Sequence, residues 1–558
     1  MKPRNAILAL ILLWSFGLSG QDISGLRDQP PVQLSGSLSV GLNAYATNRE
    51  RPRYDPFSYT LAANPVLRIY GVSLPMSFVY SERERSFRQP FNRFGLRPTY
   101  KWARMHLGYS NVYFSNYSLA GRTFLGGGLE LNPGKLRFGA VYGRFNRGIE
   151  VPADAEVYLE PTFDRWGYAF KLGVGANTNY LDLVFFKGED RYDEPRADSL
   201  RRSANPPAEN VIIGLKTSQL FFQRLTFDLD LAASAWSSNL LSAEVAPGEF
   251  AGRQVLEQLI TPRYATRLSL AGEAGLGVRF SHWGLRLQYR RIDPEYQSMG
   301  AFTYQTDIED LTVQPSLNLM KGRLFLSGSV GLQRNNIYEN RLQQTSRRIG
   351  SANAQFTPGR VFAMNLSYSN FRVDVQAVSE EFLSDSFNIV QVNEQLNMST
   401  NLNLGDQDIR KQLSFSAYGS RFNDLSETVS FAQENQMFGG RLGWRQRWQT
   451  SGLSFSAHVS GARFSAAEVA SDRYGGGLSL GKDIGEHLEL EGRFSYRLNR
   501  RLGQDDGGTL SARTSLRYRL EGGHSFRFNA SWMQRSYGVS SRAGFSEFRA
   551  WLRYTFSF

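Results

Sequence analysis

Arginine is the residue type that offers the most chemistry in this chain of 558 residues, because 55 of its 64 cationic residues are Arg. A guanidinium group binds carboxylate and phosphate oxygens through paired N–H donors. Arginines recur at alternate positions towards the end of the chain, and nine of them are candidates for a cationic wall: Arg441, Arg445, Arg493, Arg497, Arg513, Arg517, Arg527, Arg549 and Arg553. Gathered on one surface, these side chains would attract anions.

A second interpretation of the same arginines stays open. They would pair across strands with acids on the same surface, such as Glu489, Glu491, Asp228 and Asp230, and so stiffen a sheet. The basic residues are also spread along the whole chain instead of being concentrated in one patch. We therefore predict no nucleic-acid binding.

The five histidines offer little for catalysis. His106 and His458 fall at polar positions of predicted strands, where a lone histidine more often forms hydrogen bonds than acts as a general base. The sequence contains no nucleophile elbow, phosphate-binding loop or HExxH motif, and the absence of Cys excludes thiol catalysis. We predict that the protein is not an enzyme, with no catalytic, cofactor-binding or metal-binding residues and no cofactor.

The elements that position these residues are strands in which apolar and polar residues alternate. Leu225, Phe227 and Leu229, for example, alternate with Thr226 and Asp228. Such stretches run to about ten residues, the length at which a tilted strand crosses a bilayer. The pattern repeats from about Val32 to Phe558 without a change in composition.

This repetition predicts an all-β fold, a single transmembrane antiparallel up-and-down β-barrel of about 26 strands (24–28) over residues 32–558. Short turns and longer loops are expected to alternate strictly. An even strand number then puts both termini on the short-turn side, which is periplasmic.

The beginning of the chain predicts export. Lys2 and Arg4 precede an apolar run over 6–14 and a small-residue stretch over 15–20. This is the pattern of a secretory signal peptide, so we expect residues 1–20 to be removed and residues 21–31 to form a short periplasmic segment. Loss of two cations would lower the formal net charge from +13 to +11.

The last strand ends on alternating aromatic residues, which a soluble protein rarely leaves at a bare edge. It resembles the C-terminal signal, closing on Phe, that the barrel assembly machinery recognises, with Tyr554, Phe556 and Phe558 as the matching residues. Together with Gly20–Gln21 and stretches such as 291–300 and 368–371, it resembles outer-membrane barrels of the Bacteroidota. The resemblance implies the Gram-negative outer membrane as location, with its lipid and the assembly machinery as partners.

A barrel of this strand number is wide, and 22-stranded barrels already need a plug. Too few residues precede Val32 to form one. The lumen would be open, pinched flat, closed by loops, for which 239–263 and 189–209 are the candidates, or filled by a lipoprotein or periplasmic partner, which we prefer. The predicted function is a porin-like channel or the membrane component of a transport or export complex. The alternatives are a non-transporting scaffold or surface-binding barrel and a soluble secreted β-solenoid.

Overall fold

The computed structural model describes ten stretches of the chain: residues 31–81, 93–148, 162–192, 206–246, 257–302, 305–377, 389–425, 434–467, 469–538 and 543–558. No helix within them is long and apolar enough to cross a membrane. The predicted signal peptide over 1–20 and nearly all of the segment 21–31 lie outside these residues.

The described residues form one antiparallel sheet of 29 strand segments. These segments are β1 Val32–Ser35, β2 Ser37–Thr47, β3 Phe57–Ala63, β4 Val66–Ile69, β5 Val72–Ser81, β6 Arg93–Leu96, β7 Thr99–Tyr100, β8 Ala103–Tyr113, β9 Ala120–Leu131, β10 Leu136–Asn146, β11 Asp164–Gly175, β12 Tyr180–Arg191, β13 Glu209–Phe221, β14 Leu225–Ser237, β15 Thr266–Arg279, β16 Trp283–Ile292, β17 Ile308–Leu319, β18 Leu324–Arg334, β19 Gln343–Phe356, β20 Phe362–Ala377, β21 Ile389–Gly405, β22 Ile409–Asp424, β23 Asn435–Trp448, β24 Leu453–Ala466, β25 Val469–Ile484, β26 Leu488–Arg501, β27 Gln504–Arg519, β28 His524–Arg535 and β29 Phe545–Ser557. Short 3-10 turns at Met320–Gly322 and Glu521–Gly523 connect two of the pairs.

Three barrel strands are interrupted, and each interruption has a local cause. Pro65 and Pro98 have no N–H to donate, so the ladder breaks between β3 and β4 and between β6 and β7. Gly36 separates β1 from β2 at φ +148°, and a Cβ there would lie 2.5 Å from the Asn64 carbonyl oxygen. Counting each interrupted strand once gives 26 barrel strands among the described residues.

The sheet closes on itself because β2 pairs with β29 as well as with β3. The β2–β29 register runs from Ser37 opposite Ser557 to Thr47 opposite Glu547. At the seam, the Gly36 amide donates to the Phe558 carbonyl oxygen over 2.7 Å, and the Phe558 amide donates to the Gly36 carbonyl oxygen over 3.1 Å. The prediction of a closed antiparallel barrel with about 26 strands is confirmed.

The two ends of the barrel differ in their connections. The end that carries Val32 and Phe558 has connections of two to five residues, and most connections at the other end are longer. Strict alternation was wrong at two places on the longer-loop end. Only residues 467–468 join β24 to β25, and only 502–503 join β26 to β27.

Alternate residues of each strand lie on opposite faces of the barrel wall, and directly paired residues share a face. Large apolar side chains stay exposed on the outer face, among them Leu172 at 57%, Leu183 at 56%, Leu270 at 60% and Val330 at 61%. An apolar surface of this size is unfavourable in water but favourable against the hydrocarbon of a bilayer. The exposed apolar face is therefore consistent with a membrane environment.

Candidate functional site

Two loops turn into the barrel and form its buried core. The first inner loop, residues 114–119, joins β8 to β9, and the second inner loop, residues 293–302, follows β16. Leu119 and Tyr296 are fully buried and Met299 is 1% exposed. They pack with side chains from β10, β12 and β13, namely Val141, Val184 and Ile212. The face of the wall that meets these loops is called the inner face below.

The two inner loops are bound to each other by hydrogen bonds. The Tyr296 hydroxyl donates to the Tyr117 carbonyl oxygen over 2.6 Å, and the Ser298 hydroxyl donates to the Ser118 carbonyl oxygen over 2.6 Å. Gly300 allows this approach, since a Cβ there would lie 2.7 Å from the same Ser118 oxygen. The loops therefore form one interlocked unit.

Acids of the inner face anchor the first inner loop. Asp230 accepts hydrogen bonds from the Ser115 hydroxyl over 2.6 Å and from the Asn116 amide over 3.0 Å. Glu273 accepts one from the Asn116 side chain over 2.8 Å. Burial and the nearby Glu273 carboxylate raise the pKa of the Tyr117 phenol, so it stays neutral. Both carboxylates thus stabilise the inward position of the loop.

Most charges on the inner face of β10–β17 are compensated in pairs, and we call this stretch the paired wall. Arg137 contacts Asp182 through two hydrogen bonds of 2.7 and 2.8 Å. Further pairs in this stretch are Arg165 with Asp190 at 2.7 Å, Lys216 with Asp230 at 3.5 Å, Arg286 with Asp228 at 2.8 Å and Arg290 with Asp310 at 2.6 Å. Asp182 and Asp230 are nearly fully buried, which makes an opposite charge necessary.

His106 lies in a buried network on the inner face of β8. Its Nδ1 is 2.8 Å from the Ser110 hydroxyl and its Nε2 is 2.8 Å from Glu130. This is the spacing of a serine–histidine–carboxylate triad. Ser110, however, is only 2% exposed, so its hydroxyl is not accessible to a substrate. The network connects β8 to β9 as a hydrogen-bonding unit.

The nine arginines of the predicted cationic wall all lie on the inner face. Residues that pair directly can be followed from strand to strand, and they connect Asp228 on β14 to Asn393 on β21. Ser399 lies on the same face of β21 as Asn393. Ser399 pairs with Ser416 on β22, which pairs with Arg441 on β23. The inner face then continues without interruption through β29. We call the inner face of β23–β29 the arginine wall.

Like charges lie directly opposite one another on the arginine wall. Arg493 on β26 faces Arg513 on β27. Arg517 on β27 faces Arg527 on β28, which in turn faces Arg553 on β29. Opposed like charges destabilise a strand pair unless something compensates them.

Acids compensate only part of the arginine wall. Glu491 lies 3.0 Å from Arg493, Glu489 lies 3.5 Å from Arg517 and also contacts Arg519, and Glu547 lies 3.0 Å from Arg549. Across the described stretches, no carboxylate lies within 4 Å of the remaining six arginines, Arg441, Arg445, Arg497, Arg513, Arg527 and Arg553. Carboxylates thus accompany three of the nine arginines, and only the Arg517–Glu489 contact joins two strands.

The aromatic residues of the predicted assembly signal are part of the barrel seam. His524 stacks on Phe556 with ring centroids 4.4 Å apart, and its Nδ1 is 2.7 Å from the Tyr554 hydroxyl. Phe558 continues the backbone ladder to Gly36. Tyr554 and Phe556 lie on the outer face, opposite in direction to Arg553.

Of the two loops predicted to close the lumen, the described part of 239–263 lies on the outer face instead. Ile260, in the described part of 239–263, packs on Val211 and Ala235, which alternate with inner-face residues and so lie on the outer face. Most of 189–209 lies outside the described residues. The stretch 291–300 contains the second inner loop, but nothing in its sequence marks an inward direction.

No protein-family model matches the chain, and no curated protein is significantly similar to it. The fold is similar to the P pilus usher (PapC) translocation pore, at 11% identity over 94% of this chain and 99% of that one, with a TM-score of 0.39. It is also similar to Acinetobacter baumannii OccAB2, at 11% identity over 68% and 97% and a TM-score of 0.29. Pseudomonas aeruginosa OccK3 gives 12% identity over 71% and 96% and a TM-score of 0.28. These similarities are too distant to bear on function.

Proposed function

We propose that this protein is an outer-membrane channel that conducts small anions along the arginine wall. The observation that carries the proposal is the concentration on one inner surface of six arginines that lack a carboxylate, two of which, Arg527 and Arg553, lie directly opposite each other. A surface of one sign inside a low-dielectric wall concentrates counter-ions. Rings of Arg select anions in other pores for the same reason.

The two stretches of inner face would have different roles in conduction. The inner loops cover the part of the paired wall around Asp230 and would narrow the lumen on that side. The arginine side chains remain in contact with solvent, with exposures of 48% for Arg493, 40% for Arg517 and 42% for Arg549. Hydrated anions would therefore follow the arginine wall.

The location is part of the same proposal. The chain would be exported with residues 1–20 as signal peptide, and the assembly machinery would recognise Tyr554, Phe556 and Phe558. Outer-membrane lipid of a Gram-negative bacterium, in our interpretation one of the Bacteroidota, would surround the exposed apolar face.

Planar-bilayer recording tests the proposal. The purified barrel is inserted into a bilayer with a KCl gradient, and the reversal potential gives the ratio of chloride to potassium permeability. We expect an anion-selective current. A cation-selective current, or no current from protein whose heat-modifiable gel migration shows a folded barrel, would overturn the proposal.

A second candidate is the membrane component of a transport or export complex, with a lipoprotein or periplasmic partner in the lumen. It is favoured by the uncharged polar ladder on the inner face of β21, which the described contacts of the inner loops do not reach: Gln391, Asn393, Gln395, Asn397, Ser399, Asn401 and Asn403. Purification in mild detergent followed by mass spectrometry tests it. Recovery of the bare chain alone would count against it.

A further inference from the structure

Nine residues on β27, β28 and β29 form a square patch on the inner face close to the barrel seam. The register places three residues of each strand side by side, in three rows of three. We call this patch the arginine grid, and its residues are Arg513, Ser515, Arg517, Ser531, Asn529, Arg527, Arg549, Trp551 and Arg553. Five of the nine residues are Arg and none is acidic. No patch of nine inner-face residues on the described paired wall has this composition.

The charge of the grid is only partly neutralised from outside it. Glu489 contacts Arg517 at 3.5 Å and Glu547 contacts Arg549 at 3.0 Å. Arg513, Arg527 and Arg553 lie on three adjacent strands and have no carboxylate within 4 Å in the described residues. Arg527 and Arg553 are direct cross-strand neighbours about 4.8 Å apart, so their guanidinium groups can converge on one ligand, whereas Arg513 lies at the other end of the grid.

The centre of the grid holds an amide donor that lacks an acceptor. Asn529 lies opposite Ser515 on one side and Trp551 on the other. Its Nδ2 is buried and forms no hydrogen bond. A buried donor without a partner costs free energy, which a ligand's acceptor would recover once the side chain of Asn529, a partly exposed residue, turns its amide towards the lumen. This observation is independent of the charges and points to the same kind of ligand.

From these two observations we infer that the arginine grid is a binding site for a polyvalent phosphate anion entering from the lumen. Such an anion has several negatively charged acceptor oxygens, which suit both the guanidinium groups and the Asn529 amide. Its charge would also remove the repulsion between Arg527 and Arg553. The inference rests on the proposed function only in requiring a lumen that is open to solutes.

Isothermal titration of the full-length barrel in detergent with inorganic pyrophosphate, at constant ionic strength, tests the site. We expect saturable binding that Asn529→Asp weakens by about tenfold or more, because it puts a negative charge at the centre of the grid. Arg527→Gln should weaken binding by a similar factor. Arg441→Gln is the matched control, since Arg441 lies on the arginine wall outside the grid and should retain binding.

Heat-modifiable gel migration shows whether each variant has folded. The carboxylate introduced by Asn529→Asp can pair with neighbouring arginines, so this variant should still fold. Loss of pyrophosphate binding by a folded variant therefore identifies a ligand site. Equal weakening by Arg441→Gln, or no saturable binding by folded wild-type protein, would overturn the inference. If binding fails but the current is anion-selective, the binding site is wrong and the proposed channel is not contradicted. If pyrophosphate binds but no current is seen, the proposed channel is wrong and the binding site is retained.

Discussion

The paired wall and the arginine wall are two stretches of one inner face, and they differ in how their charges are compensated. On the paired wall, Asp182 and Asp230 are almost inaccessible and each contacts a cation. On the arginine wall, Arg493 and Arg513 lie opposite each other and remain exposed. Both stretches have the same alternation of apolar and polar residues, so the difference does not come from the strand pattern.

The difference follows from what covers each stretch. The first inner loop displaces water from Asp230 of the paired wall, and a charge without water needs an opposite charge close by. Water and mobile ions reach the arginine wall and screen its repulsion. A barrel can thus use one stretch of its inner face for stability and another for contact with solutes.

The largest effect should come from removing an anchor of the paired wall. Asp230→Ala leaves Lys216 without its carboxylate and frees Ser115 and Asn116 of the first inner loop. Breaking such a buried pair costs about 3–5 kcal/mol. The free energy of unfolding from lipid vesicles, measured by urea titration, should fall by that amount.

Glu491→Ala provides the matched control on the arginine wall. It also removes a carboxylate from an arginine contact, at 3.0 Å from Arg493, but both side chains are nearly half exposed. Exposed pairs contribute about 0–1 kcal/mol. Equal losses in the two variants would contradict the distinction between the walls.

The second effect concerns selectivity. The double change Arg513→Glu and Arg527→Glu replaces two uncompensated cations with acids, so the local potential reverses sign. We expect the reversal potential in a KCl gradient to move towards potassium selectivity. The same change made on the paired wall, at Arg286 and Arg290, should disturb folding more than selectivity, because their partners Asp228 and Asp310 would then be repelled.

A smaller effect is expected from salt. The Debye length falls from about 10 Å at 0.1 M salt to about 3 Å at 1 M salt. The attraction between exposed arginines and anions is therefore screened, while buried ion pairs are little affected. Chloride selectivity should decline over this range, measured as the permeability ratio. Unfolding of the paired wall should change much less, and selectivity that is independent of salt would argue against the arginine wall as its source.

Much of the fold could be predicted because a lipid-facing strand must alternate. That requirement locates the strands, their even number and the shared face of the nine arginines. Strand 57–69 was recognisable despite Pro65, since the chain on both sides keeps the alternation, and the structure divides it at that residue into β3 and β4.

The rest depends on distances that alternation does not encode. The Tyr296 to Tyr117 hydrogen bond joins residues 179 positions apart, and no local pattern at either residue indicates it. The arginine grid requires the register of three strands, in which a slip of one residue would move Asn529 to the other face. The sequence therefore identified the arginines of the grid but not their arrangement around the Asn529 side chain.

The smallest effect should come from the bond that joins the two inner loops. Tyr296→Phe removes the hydroxyl that donates to the Tyr117 carbonyl oxygen at 2.6 Å, and keeps the ring that meets Tyr117 edge-on at 6.3 Å. One neutral hydrogen bond contributes about 1 kcal/mol, and the Tyr117 carbonyl oxygen loses this donor. The free energy of unfolding should fall by about that amount, while the single-channel conductance stays unchanged because the arginine wall is not altered. A conductance that rises in Tyr296→Phe would mean that the inner loops and the arginine wall act on one path, and the separation of the inner face into a structural and a conducting stretch would then be wrong.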